Sequence, residues 1–212
     1  IQQMPAYAMT SGDWSSDVCS SDLSTAQLVG LRTDQIANLE SGDLRALGTA
    51  QIRSLSTEQL DALTTDQVPL LTTAQVAALS TAQIAGLQTD DVLALGTDHA
   101  KILSSAQVRA LTTEQVAALG TDDVAVLSTA AVRGLTSEQL GAFTTDQIPA
   151  LSTQSITALS SAQIKGLGTD DVDALSTDQA RALARRIPAK RLPEIRGHKG
   201  ADDAKDRGQD EA

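Results

Sequence analysis

Large aromatic side chains are almost missing from this sequence: Trp14, Tyr7 and Phe143 are the only three, 1% of 212 residues. A core anchored on rings is excluded, so Leu, Val, Ile and Ala must supply what is buried. Cysteine is as scarce, with Cys19 alone, which removes a disulfide framework and a thiolate metal site. Histidine occurs only at His99 and His198. Two imidazoles, one of them in a polar tail, do not staff a nucleophile–base–orienter arrangement, and neither has an acid or thiol beside it at ligand spacing. No apolar run approaches the about 20 residues of a membrane-crossing helix. Positive charge is also short. Net charge is -11, and residues 23–182 carry 18 acidic against 8 basic side chains. That field repels phosphate and argues against nucleic acid as a partner.

What is present is a period. From Leu23 an eight-residue unit recurs twenty times through residue 182 with no insertion or deletion. Its first position is Leu except at Phe143, its third is Thr or Ser, and its sixth is aliphatic apart from Ala100 and Ala180. The fifth is usually Gln. Position seven accepts Arg, Lys, Asp, Ala, Pro or Leu and must face water. Position eight is usually small, as at Ala46, Gly86, Gly134 and Ala174, which suggests a neighbouring backbone close by. The segment 64–69 (TTDQVP) returns eighty residues later as 144–149 (TTDQIP), a trace of block duplication.

An unbroken helix cannot carry this period, because eight residues at about 100° each overshoot two turns by about 80° and would wind the leucines around the axis. The helix must break once per octad. In 55–60 (LSTEQL), Ser56 caps a helix and Gln59 reaches back to the cap amide, a capping box, while Leu55 and Leu60 form the hydrophobic staple. Thr57 is a competing cap. Gly48, Gly96, Gly120 and Gly168 would ease the bend between units. The expected fold is all-α: an elongated α-solenoid of very short helices, one per octad, whose stability comes from stacking because one octad buries too little alone. A β-solenoid is the rival. It accounts for the threonines but places the two apolar positions on opposite sides and needs Ala, Gln and Asp in strands; Pro69 and Pro149 weigh against helix.

The chain divides into three parts. Residues 1–22 hold a worn repeat (QQMPAY beside DQIPAL at 146–151) followed by a stretch, 12–23, that resembles translated sequencing-adapter DNA and would make Trp14 and Cys19 artefacts. Residues 23–182 are the array. Residues 183–212 are expected to form a short cap and then a disordered charged tail, with Pro188 and Pro193 discouraging helix and Arg185, Arg186, Lys190, Arg191 and Arg196 forming a solvated basic cluster. The first residue is Ile1, as expected for a fragment of a longer chain.

Carboxylate pairs at Asp90-Asp91, Asp122-Asp123 and Asp170-Asp171 are weak Ca²⁺ candidates, since stacked pairs would offer several oxygens. The plainer reading is that acids favour the first turn of each helix. His99, beside Asp98, takes the place of the usual Gln. No catalytic residue, cofactor site or other metal site is expected.

The segment 111–116 (LTTEQV) is similar to the helix-opening part of transcription activator-like effector repeats over six residues, without the base-reading loop: shared capping chemistry. The array as a whole, with units such as 71–78 (LTTAQVAA), looks like the tandem octads of large bacterial repeat proteins. That resemblance implies a secreted or surface-displayed, non-enzymatic structural or adhesive segment, extracellular, acting as a spacer or as an extended face for a protein or cell-surface ligand. The alternative is a cytoplasmic scaffold that grips partner peptides along a groove.

Overall fold

The computed structural model describes residues 24–185. Within them lie nineteen α-helices of four to eight residues and one 3-10 turn, Val68–Leu70, one element in each octad and no strand. The α-solenoid holds and the β-solenoid does not. The adapter-like stretch, the worn repeat, His198 and the basic cluster beyond Arg185 fall outside the described residues. The last helix, Thr177–Ala184, is the longest and buries Leu183.

Each octad solves the same local problem. Ahead of helix Thr113–Ala118, Thr112 is extended at φ -75°, ψ 166° and its hydroxyl accepts from the Gln115 amide. Gln115 returns the favour: its Oε1 accepts from the Thr112 N–H at 2.7 Å. Both contacts satisfy donors that a helix start leaves open. The cap is therefore the second position, and the third, the competitor, is the first helical residue. At the other end the Leu119 N–H bonds the Val116 carbonyl, and Leu119 turns extended at ψ 136°, which carries the chain into the next cap. Two extended residues and one short helix make a unit.

The glycines expected to ease this bend mostly do not. Gly48, Gly120 and Gly168 have φ of -71°, -64° and -76°, ordinary extended values open to any residue, so the bend needs no special backbone. Proline acts where the sequence places it. Pro69 and Pro149 lack the N–H that would continue their helices, and those octads shrink to the turn Val68–Leu70 and the four-residue helix Gln147–Ala150. Their capping boxes persist, with Thr64 N–H to Gln67 Oε1 at 2.8 Å and Thr144 N–H to Gln147 Oε1 at 2.8 Å.

Stacking sets the next level. Each helix packs on the helix three octads later: Thr25–Val29 on Thr49–Ser54, Ser105–Ala110 on Thr129–Gly134, Thr153–Ala158 on Thr177–Ala184. A coil is therefore three octads, 24 residues, and the solenoid is three-sided. Its interior is a double row, the first-position leucines and the sixth-position aliphatics, continuous from Leu28 to Leu183 with Phe143 substituting for one leucine. Small eighth positions mark the closest coil contacts. A Cβ on Gly134 would lie 2.3 Å from the Ser105 carbonyl oxygen, and one on Gly166 would lie 2.0 Å from that of Ser137.

Candidate functional site

The polar side chains that the fold buries are concentrated at the fifth position. Gln75, Gln115 and Gln147 are each 2% exposed. Oε1 is held by the capping box, which leaves the Nε2 donors aimed at the coil before. Gln115 Nε2 donates to the Leu87 carbonyl at 2.6 Å and to that of Ile84 at 3.1 Å. The same pair of contacts, 28 and 31 residues back, recurs from Gln59, Gln83, Gln107, Gln139 and Gln163. These carbonyls belong to the end of a helix, where the following leucine's N–H also bonds, and to the extended leucine after its bend, whose acceptor would otherwise be left open. One amide thus caps its own helix at the N-terminus and the helix of the preceding coil at its C-terminus.

Sequence reasoning found the first half of this role and missed the second. A signal for it was available. A capping box accepts Glu as readily as Gln, yet no octad in residues 23–182 has Glu at position five. Of the two, only the glutamine amide offers a donor as well as an acceptor at neutral pH.

Where the fifth residue is Asp, the donor is gone. Asp123 accepts from the Gly120 N–H at 3.2 Å and Asp171 from that of Gly168 at 2.8 Å, so the cap is kept and the coil-to-coil bond is not. Burial pushes the Asp91 and Asp123 carboxyls above the usual carboxylate range. At Asp91 the nearby charges of Asp61 and Asp90 push the same way, and Asp61 itself carries a buried Oδ1 without a hydrogen-bond partner. A carboxyl raised in the folded state adds stability that is fully present below its unfolded value, near pH 4, and lost as pH rises through the folded value. Asp34 and Glu114, lowered by Arg32 and by a backbone amide respectively, have the opposite sign. A comparison of the chain with its D91N/D123N variant cancels those. The variant should gain melting temperature relative to the parent as pH rises from about 4 to 7; a gap that does not change with pH would contradict this.

His99 solves the missing amide differently. It is 5% exposed, and its Nδ1 and Nε2 lie against the carbonyl oxygens of Leu95 and Leu71. The Nε2 contact, 28 residues back, replaces the glutamine's. The Nδ1 contact exists because the Leu95–Gly96 peptide is turned over: Leu95 has ψ -45° where Leu119 has 136°, and Gly96 has φ +73°. Glycine alone adopts that φ without strain. Gly96→Ala should therefore cost about 1–2 kcal/mol in urea unfolding, whereas Gly120→Ala, at an ordinary φ, should cost less.

The structure separates the candidate Ca²⁺ ligands. Asp90-Asp91 lies on one side of the prism, and Asp122-Asp123 and Asp170-Asp171 on another, two coils apart. Within each pair the first carboxylate is exposed and the second is buried at its helix start. Among the described residues, no three His, Cys, Asp or Glu side chains are grouped so as to hold a metal ion, and no helix is long and apolar enough to cross a membrane.

A shallow groove of about 670 Å³ lies between helices Ser105–Ala110 and Thr129–Gly134. Ala106, Ala130 and Gly134 line it with Ser105 and Thr129, and Arg109 and Arg133 project beside it. Neither guanidinium has an ion-pair partner among the described residues, where the pairs are Arg32–Asp34 at 2.9 Å and Arg181–Asp178 at 3.7 Å.

No curated protein and no solved structure matches this chain. A family model does: the ALTTAQ repeat matches residues 36–73, 70–97, 85–121, 101–128, 116–153 and 155–185. Its motif is visible as 78–83 (ALSTAQ) and 110–115 (ALTTEQ), where the structure places the inward leucine, the capping hydroxyl and the bridging glutamine. The coil-to-coil amide is thus the final letter of the motif, and the chain belongs to the ALTTAQ repeat family.

Proposed function

We propose that this chain is a non-enzymatic structural or adhesive segment of a bacterial surface or secreted protein, and that it works as a spacer or as an extended face for protein contact. The observation that supports this most is how the buried polar groups are used. The buried fifth-position glutamines from Gln59 to Gln179 are spent on caps and on the bonds between coils. What varies from octad to octad is outside, at positions four and seven. Such a division holds a rigid rod constant while its surface is free to differ. The net charge of -11 favours partners other than nucleic acid.

Protease treatment of intact cells carrying the full-length protein tests the location. Cleavage of the array before lysis is the expected result. Protection until lysis would favour the cytoplasmic scaffold instead. Turnover of a substrate by the purified array would overturn the non-enzymatic reading.

A further inference from the structure

The groove between Arg109 and Arg133 lies on a part of the exterior whose charge runs against that of the molecule. On this side of the prism, four consecutive octads, 79–86, 103–110, 127–134 and 151–158, contain no Asp or Glu. The other two sides carry exposed acids in four successive coils: Asp98, Asp122, Asp146 and Asp170 on one, Asp66, Asp90, Glu114 and Glu138 on the other. Arg109 and Arg133 sit at the same octad position one coil apart, with no carboxylate paired to either.

We propose that this groove binds an extended acidic peptide whose two carboxylates are three residues apart; the proposal rests on reading the array as an interaction face. Helices of adjacent coils pack about 8–10 Å apart. Three residues of a polyproline-II chain span about 9 Å and return to the same face, so an Asp-x-x-Asp segment laid across the coils in that conformation brings one carboxylate to each guanidinium. Guanidinium and carboxylate match as planar, two-point partners. Ala106, Ala130 and Gly134 leave room for the peptide backbone to approach, with Ser105 and Thr129 as the polar residues of the lining. A second array would also present acids at one-coil intervals, but each copy carries -11, and exposed ion pairs give only about 0–1 kcal/mol apiece. A short peptide meets far less repulsion.

The test is fluorescence anisotropy with a labelled Gly-Asp-Ser-Gly-Asp-Gly peptide, the same peptide with lysine in place of aspartate, and the full chain. Saturable binding of the acidic peptide is expected, weakened about tenfold or more in R109A/R133A and by added salt. R181A, whose guanidinium is already paired with Asp178, should bind as the parent does. Circular dichroism checks that each variant keeps its helices, as exposed position-seven substitutions should. No binding, equal binding of the lysine peptide, or binding that survives R109A/R133A overturns the assignment and leaves the interaction-face reading standing. So does a concentration-dependent dimer lost in R109A/R133A, which would give the groove to a second copy. Cleavage of the peptide would instead overturn the interaction-face reading itself.

Discussion

Gln115→Glu should destabilise the array by about 3 kcal/mol at neutral pH, and by much less near pH 4. The substitution changes one atom of the side chain. It keeps the acceptor that holds the Thr112 N–H and removes the donors that reach Leu87 and Ile84. Two buried carbonyl oxygens are left facing a carboxylate, which is worse than leaving them empty because like partial charges then oppose each other away from water. The glutamate is thereby raised above its ordinary range, so the loss appears as pH rises through the folded-state value and is regained on protonation. Gln115→Ala, with no charge, should cost about 2 kcal/mol at either pH. Urea unfolding at the two pH values separates them. A Glu variant that loses less than the Ala variant at neutral pH would mean that the amide serves only its own helix.

The second large effect is steric. Gly134→Ala should cost about 2–3 kcal/mol, because its Cβ would sit 2.3 Å from the Ser105 carbonyl oxygen, a backbone atom that cannot swing aside. The two coils must separate, and the interior leucines on either side lose contact with them. Gly42 is the control. Nothing lies within 4 Å of a Cβ built there, and it sits inside helix Ser41–Ala46, so Gly42→Ala should stabilise by about 0.5–1 kcal/mol. Thermal melts of the two single variants should move in opposite directions.

Much of the fold was legible one octad at a time. Leu55 and Leu60 could be assigned to the interior, and Ser56 and Gln59 to a capping box, because those roles depend on residues within one turn of each other. The number of octads per coil was not legible. It is set by the angle through which two extended residues, such as Leu119 and Gly120, turn the chain, and an eight-residue pattern reads the same at any angle. Everything that spans coils was hidden for that reason: the reach of Gln115 to Leu87, the closeness of Gly134 to Ser105, the pairing of His99 with Leu71. Asp91, Asp123 and Asp171 read simply as acids favoured in the first turn of a helix. The third helical residue, however, points back towards the cap and into the seam between coils, so they are buried. The groove at Arg109 and Arg133 needed the same information, since residues 24 apart become neighbours only when the coil length is known.

The most direct measurement of the three-octad coil is a set of electron spin–spin distances between labels on the exposed seventh positions, with Cys19 replaced by serine. Labels at Ala77 and Ala125, 48 residues apart, and at Ala77 and Asp173, 96 residues apart, lie two and four coils along one side. Backbone separations of about 20 and about 40 Å are expected, rising in equal steps for each 24 residues. Separations of about 30 and about 60 Å, as a two-octad coil would give, or a distance that does not double between the two pairs, would contradict the coil.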